Sequence, residues 1–250
     1  MRIQLLRGNT AKNNQLVLSP GELSVDTERN TLRLHDGVTL GGVEVSTRSL
    51  APGPAALANG DGTTGFFGEV AGADMITYGA LATEVGVTEG TLQHDAESAW
   101  LKFVKDGEIL FVAKKPIHNS VSWDALSAAG VVLNDGGAPI ITIDGYQFRV
   151  TLLTGGDGDP AAASGGEWNR LMYPVHVDDP TGLGWGVGYT NADLIVGSGD
   201  GSASWTQEVS DLDAGQRILR GGTTDVTDFN ADVSSATDLA YGWRPCLRLV

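Results

Sequence analysis

The 250-residue chain carries a formal net charge of −15, 35 glycines without a G-X-Y period, and a single cysteine, Cys246. Such a charge repels nucleic acid and anionic membrane surfaces, the glycine spacing excludes collagen, and one cysteine excludes an intrachain disulfide and a cysteine-based zinc site. No stretch of roughly 18 apolar residues is present to span a membrane, and Met1-Arg2-Ile3-Gln4 lacks an apolar h-region, so no secretory signal is expected.

Residues 1–48 are predicted to form a small β domain. Strands are expected from Ile3 to Leu6, at Leu23–Thr27 and at Thr31–His35, with turns at Ser19-Pro20-Gly21, Thr27–Asn30, Asp36-Gly37 and Gly41-Gly42. A block this short, with few aromatics, cannot bury enough apolar surface to stand alone. It needs a partner, and another copy of itself is the simplest one. Residues 49–65, with Ala51-Pro52-Gly53-Pro54 and Asn59-Gly60-Asp61-Gly62, read as a linker.

Residues 66–250 are predicted to form a larger α+β, β-rich domain. One helix is expected over about 72–85, with Asp74 as N-cap and Gly86 as the stop. Trp100–Val104 and Ile109–Ala113 around Asp106-Gly107 form a hairpin with a turn of two residues or more. A short helix follows Ser122 as cap, and Ile140–Ile143 and Tyr146–Val150 around Asp144-Gly145 form a second hairpin. Beyond Leu153 periodicity fades until Arg217 and a last strand over Trp243–Val250. Trp168, Tyr173, Trp185, Tyr189 and Trp205 fall in that stretch, so it reads as packed loops rather than disorder.

No nucleophile elbow or P-loop is present. His35, His94, His118 and His176 are far apart and lack zinc-helix spacing, so each is expected at the surface or in a turn. Cys246 reads as a small core residue. Asp157 and Asp159, or Asp225, Asp228 and Asp232, could contribute to a structural calcium site, but no EF-hand spacing exists. No cofactor, no metal ligand and no catalytic residue is therefore assigned. Glu167 and Arg170 are expected to pair with buried loop backbone. In Trp185-Gly186-Val187-Gly188-Tyr189 the aromatics either present flat faces to a ligand, or Trp185 plugs its loop into the fold. Trp185, Tyr189, Asn191 and Tyr241 are the candidate binding residues, while Trp205 and Trp243 are assigned to the core.

Ile3-Gln4-Leu5, Arg7-Gly8, Pro20-Gly21-Glu22-Leu23, Asp26-Thr27, Leu32-Arg33-Leu34 and Asp36-Gly37-Val38-Thr39 together resemble the N-terminal domain of phage tail fibres and of a phage major tropism determinant. The resemblance implies a small intertwined β domain that trimerises. Trp100-Leu101-Lys102-Phe103, Gly166-Glu167-Trp168-Asn169-Arg170, Ser204-Trp205, Arg217–Gly222 and Gly242-Trp243-Arg244-Pro245 resemble a C-type-lectin-like module of phage virion proteins, distantly related to formylglycine-generating enzymes. This second resemblance implies a terminal strand that ties the domain's ends together. It also implies that the Arg-Gly-Gly and Trp-Arg-Pro stretches are scaffold and that loops present the ligand surface. The related enzymes need cysteines for copper-dependent oxidation, and only Cys246 is available.

The expected function is that of a virion structural protein of a tailed phage, a tail-fibre or tail-tip protein that binds a host receptor and is not an enzyme. Its expected partners are its own copies in a homotrimer, other tail, baseplate or capsid proteins, and a host surface receptor or glycan. Nucleic acid and membrane insertion are excluded. The expected location is the virion, assembled in the host cytoplasm and released by lysis. A purely structural head-decoration, capsid-fibre or baseplate protein is the alternative; an enzyme on surface polysaccharide, needing paired carboxylates, is a further one.

Overall fold

The structure, a computed structural model, describes residues 6–27, 31–45, 51–156 and 165–250. The expected strand over Ile3–Leu5, the turn at 28–30, and Asp157 and Asp159 lie outside the described residues. The chain divides into two compact units, Met1–Ala51 and Pro52–Val250.

The smaller unit contains β1 (Leu6–Gly8), α1 (Thr10–Asn13), β2 (Leu23–Asp26), β3 (Thr31–Leu34) and β4 (Val43–Val45), in one sheet ordered β1-β2-β3-β4. The single helical turn α1 was not foreseen; Asn9 caps it by accepting from the Lys12 N–H at 3.0 Å. The packing of this unit is inverted. Ser24, Asp26, Arg33 and His35 alternate onto the buried face together with Asn13. Arg33 donates to Asp26 at 3.3 Å and to Asn14 Oδ1 at 2.9 Å, Thr10 donates to Asp26 at 2.9 Å, and Ser24 Oγ meets His35 Nε2 at 2.9 Å. On the other face Leu23, Leu34 and Val43 align across three strands, with Leu34 and Val43 exposed and Val25–Leu32 beside them half-buried.

The larger unit opens with β5 (Asn59–Gly60), β6 (Thr64–Ala71), α2 (Tyr78–Val85), β7 (Thr91–Leu92), β8 (Ala99–Lys105), β9 (Glu108–Ala113), β10 (His118–Asn119) and α3 (Trp123–Ala128). It continues through β11 (Ile140–Ile143), β12 (Tyr146–Thr151), α4 (Gly166–Val175), α5 (Asn191–Leu194), β13 (Ala203–Val209), β14 (Gln216–Arg220), β15 (Phe229–Val233), β16 (Tyr241–Trp243) and β17 (Cys246–Leu249). Two sheets result, ordered β11-β12-β17-β9-β8-β6-β5 and β15-β14-β13-β16-β10-β7.

Both predicted hairpins form with two-residue turns. Asp106 and Gly107 have φ of 50° and 89°, and Asp144 and Gly145 have 49° and 85°, the positive-φ pair that matches strand twist. The helix after Ser122 forms, with the Ser122 hydroxyl accepting from the Ala125 N–H at 3.1 Å. The helix expected over 72–85 is shorter, because Thr77 rather than Asp74 caps it. The largely aperiodic stretch after Leu153 holds α4, α5 and β13. Helix α4 packs Trp168, Leu171 and Met172 onto Leu101, Phe103, Leu110 and Val112 of the larger sheet. Sheet burial on both faces, with the whole of β8 up to Val104 buried, hides any period-two signal in that strand.

The terminal strand β17 lies centrally between β9 and β12 rather than beside the opening strands β5 and β6, so the last residues hold the middle of the sheet instead of joining the two ends of the unit. The segment expected as a linker is, from Pro52 onward, part of this unit. The buried Lys102 ammonium donates to the Pro54 carbonyl at 2.7 Å, Asn59 Nδ2 donates to the Trp185 carbonyl, and β5 pairs with β6. Its glycines and prolines fit close backbone approach here: a Cβ on Gly60 would run into the Thr64 and Gly65 backbone.

Candidate functional site

A cavity of about 300 Å³ opens where β13 and β16 begin and β14 gives way to β15; Ala203, Thr223, Asp228, Phe229, Asn230 and Tyr241 wall it, with Gly222 and Ala240 between them. Its wall is built by one acidic turn. After Arg220 the chain turns at Gly221, whose φ is +81° and where a Cβ would lie 2.9 Å from the Trp168 ring. The next residues wrap around the Asp228 carboxylate, which accepts from the Thr224 N–H at 2.5 Å, from the Thr223 hydroxyl at 3.1 Å, and from the Thr223 N–H and Thr224 hydroxyl. Burial alone would raise the Asp228 carboxyl; the donors from Thr224 and Thr223 outweigh it and hold it below the usual carboxylate range. Asp225 fixes the other half of the turn by accepting from the Thr227 N–H and hydroxyl at 2.7 and 2.6 Å.

The aromatic side of the cavity is equally fixed. Tyr241 stacks edge-on against Trp205 at 5.2 Å and donates its hydroxyl to Asp232 at 2.5 Å. Burial, then the Asp232 carboxylate, push the Tyr241 phenol up, so the ring stays neutral. The Phe229 and Tyr173 rings each lie 5.6 Å from the Arg220 guanidinium. Arg220 is fully buried, donates to Asn169 Oδ1 at 2.5 Å and to the Tyr173 hydroxyl, and so acts as scaffold, as expected of the Arg-Gly-Gly stretch. Arg244 is likewise buried and donates to the carbonyls of Ala113 and Leu194.

The four candidate residues are not one cluster. Tyr241 lines the cavity. Asn191 is a strut to its rim: His176 Nε2 donates to Asn191 Oδ1 at 2.7 Å, and Asn191 Nδ2 donates to the Thr224 carbonyl at 3.0 Å. Tyr189 is half-exposed in a separate patch, donating to Glu69 at 2.9 Å beneath the Lys114 ammonium, which lies 4.6 Å from its ring centre. Trp185 is only 7% exposed and packs against Phe66 and Phe103 at 6.5 and 6.4 Å. Of the two readings open to the sequence, the plug is the one its ring adopts. Its intervening glycines, Gly186 and Gly188, take φ of 69° and 73° and let the loop turn inward.

Thr223, Phe229 and Asn230 were not singled out from sequence. The available signal is the dense run of Thr and Asp after Arg-Gly-Gly, a composition typical of solvated Asp-rich turns and only secondarily of calcium ligation. Among the described residues no group of three or more His, Cys, Asp or Glu is placed to hold a metal ion. Asp228 is occupied by four protein donors and Asp232 by Tyr241. Three of the four histidines depart from the expected surface or turn positions. His35, His118 and His176 are buried rather than superficial, each anchored by a polar partner: Ser24, the Glu89 carbonyl and Asn191. Glu167 does accept from the Thr154 N–H, but its main partner is Arg248; Arg170 is exposed and lies 3.9 Å from Asp106. Trp205 and Trp243 are core residues, as assigned.

Fold and cavity define a β-rich α+β protein with a small leading β unit and an aromatic-walled recess in its larger unit. Residues 3–39 match the family model of the Major tropism determinant N-terminal domain. No curated protein matches the chain. Among solved structures, the Major Tropism Determinant P3c variant is 13% identical with a TM-score of 0.22, and the M1 variant 13% identical with 0.21. The U1 variant is 15% identical with 0.20; in all three the alignment spans 99% of this chain and 100% of the other.

Proposed function

We propose that the chain is a host-attachment protein of a tailed phage particle, a tail-fibre or tail-tip component that acts by binding rather than catalysis. The match of residues 3–39 to a tropism-determinant N-terminal domain carries this reading. In it, the first unit joins copies, as a homotrimer docked on tail, baseplate or capsid proteins. The larger unit offers the Tyr241–Phe229 recess to a receptor or glycan on the host surface.

The inverted packing of the first unit supports self-association. Its polar residues are buried in hydrogen bonds, while Leu6, Val17, Leu34, Val38, Leu40 and Val43 are 44–81% exposed. Apolar surface gains about 25 cal/mol per Å² when covered, and identical copies supply a matching face without a further gene product. Three-fold display adds avidity, so each recess can bind weakly. Among the described residues one carboxylate lines the recess, Asp228, which four protein donors occupy, while the nearby Asp232 accepts from Tyr241, and this disfavours a glycosidase.

Light scattering on the purified full-length chain tests the assembly: three times the chain mass is expected, and a single-chain mass at micromolar concentration overturns it. Attachment of the same protein to intact bacterial cells tests the recess. Tyr241→Ala is expected to keep the assembly mass and abolish attachment; full attachment by that variant removes the recess from the proposal.

A further inference from the structure

The larger unit treats two of its sheet edges in opposite ways. On β15, the Gly221 N–H bonds to the Asp228 carbonyl, so alternation along the ladder turns the Ala231 and Val233 N–H groups outward. Both are capped by the preceding side chain, Asn230 Oδ1 at 2.8 Å and Asp232 Oδ1 at 2.7 Å. That edge is closed to strand addition.

On β11 the edge is open. The two-residue turn makes Ile143–Tyr146 a hydrogen-bonded pair, and the Val150 N–H bonds to the Pro139 carbonyl, so Ile140 and Thr142 turn their N–H and C=O groups off the sheet. Gln147, opposite Thr142, uses its carbonyl on the Val250 N–H, which fixes the same alternation independently. Among the described residues nothing accepts from these two amides. Ile140 is 51% exposed, Thr142 is exposed, and Ile141 and Ile143 anchor the strand in the core. The Leu152 N–H bonds to the Val132 carbonyl, so the edge line runs on past Pro139 to Val132 and Leu133. There a cavity of about 210 Å³ is walled by Val132, Leu133, Ser127 and Asp135, and Leu133 is 48% exposed.

We propose that β11 is a docking edge for an extended segment of a different protein. That segment pairs as an added strand with Ile140 and Thr142 and places a side chain in the Val132–Leu133 cavity. Main-chain bonds supply affinity and the cavity supplies selectivity. Charge decides the occupant. The cavity beside the edge carries the Asp135 carboxylate, which the uncharged Ile-Ile-Thr-Ile strand of a second copy cannot answer, whereas a segment alternating apolar and basic residues can lay a basic stem on Leu133 with its head at Asp135.

The test uses the full-length chain and two synthetic peptides, one of alternating lysine and valine and one of alternating glutamate and valine. The lysine peptide is expected to bind and to slow amide exchange at Ile140 and Thr142. Thr142→Pro removes only an outward N–H, a substitution tolerated on an edge, and is expected to weaken binding about tenfold or more while thermal unfolding stays unchanged. Ile140→Lys, an exposed charge on the edge, is expected to do the same and serves if the proline variant does not fold. Absence of binding, equal binding by both variants, or equal binding of the glutamate peptide overturns the proposal. So does pairing of copies that Thr142→Pro abolishes, since the occupant would then be a second copy.

Discussion

Arg248 Nη2, on the terminal strand, donates to Glu167 Oε2 at 2.6 Å, and Arg248 Nη1 donates to Glu167 Oε1 at 3.0 Å. The pair is bidentate and nearly solvent-free, and Arg248 also reaches Glu108 at 3.0 Å and Thr151 Oγ1 at 3.0 Å. It fastens α4, which carries much of the core, to the sheet in which the C-terminal strand lies centrally. Removing one member leaves a buried charge. Glu167→Ala is expected to cost about 3–5 kcal/mol in urea unfolding, whereas Arg170→Ala, at an exposed pair, is expected to cost under about 1 kcal/mol.

Glu208 is a buried carboxyl on β13 that accepts from the Gly155 N–H at 2.9 Å, and burial pushes its pKa up to about 7. The folded chain therefore holds a proton that the unfolded chain releases near 4.5. Its stabilising contribution is full below about 4.5 and is lost as pH rises through about 7. Glu208→Gln is expected to abolish this slope between pH 5 and pH 8 and to raise stability at pH 8, by an amount on the order of 3 kcal/mol. Denaturant midpoints across that range measure it.

Lys102 gives the opposite slope. Burial lowers its pKa from 10.5 to about 8, so between those values the unfolded chain binds the extra proton and stability rises with pH. Lys102→Met is expected to remove this rise. A truncated chain beginning at residue 66 loses the Pro54 carbonyl and β5, and is expected to unfold at a lower temperature than one beginning at residue 52.

Cys246 is fully buried, and burial pushes its thiol up to about 12. Iodoacetamide at pH 8 is expected to leave it unmodified in the folded protein and to label it fully in denaturant. Prompt labelling of the folded chain would contradict the central position of β17.

Trp185 tests the plug. Trp185→Ala is expected to destabilise the larger unit by about 3–5 kcal/mol through the lost contacts with Phe66 and Phe103. Tyr189→Ala, whose ring is half-exposed, is expected to cost far less in the same measurement.

What the sequence by itself determined is local. The Asp106-Gly107 and Asp144-Gly145 turns, the Ser122 cap, the Gly86 stop and the strands at Leu23 and Thr31 each follow from a few adjacent residues, because turn and cap chemistry acts over two to four positions. The tertiary structure decided everything that depends on distant neighbours. Arg248 meets a carboxylate 81 residues away, Trp185 is drawn inward by Phe66 and Phe103, and the supposed linker is held by Lys102. The inverted face of the first unit also lies beyond local pattern, since Ser24, Asp26, Arg33 and His35 read as ordinary outward residues until their hydrogen-bond partners are in place. Periodicity reports which face a residue shares, but burial depends on what covers that face, and only the folded chain supplies the cover.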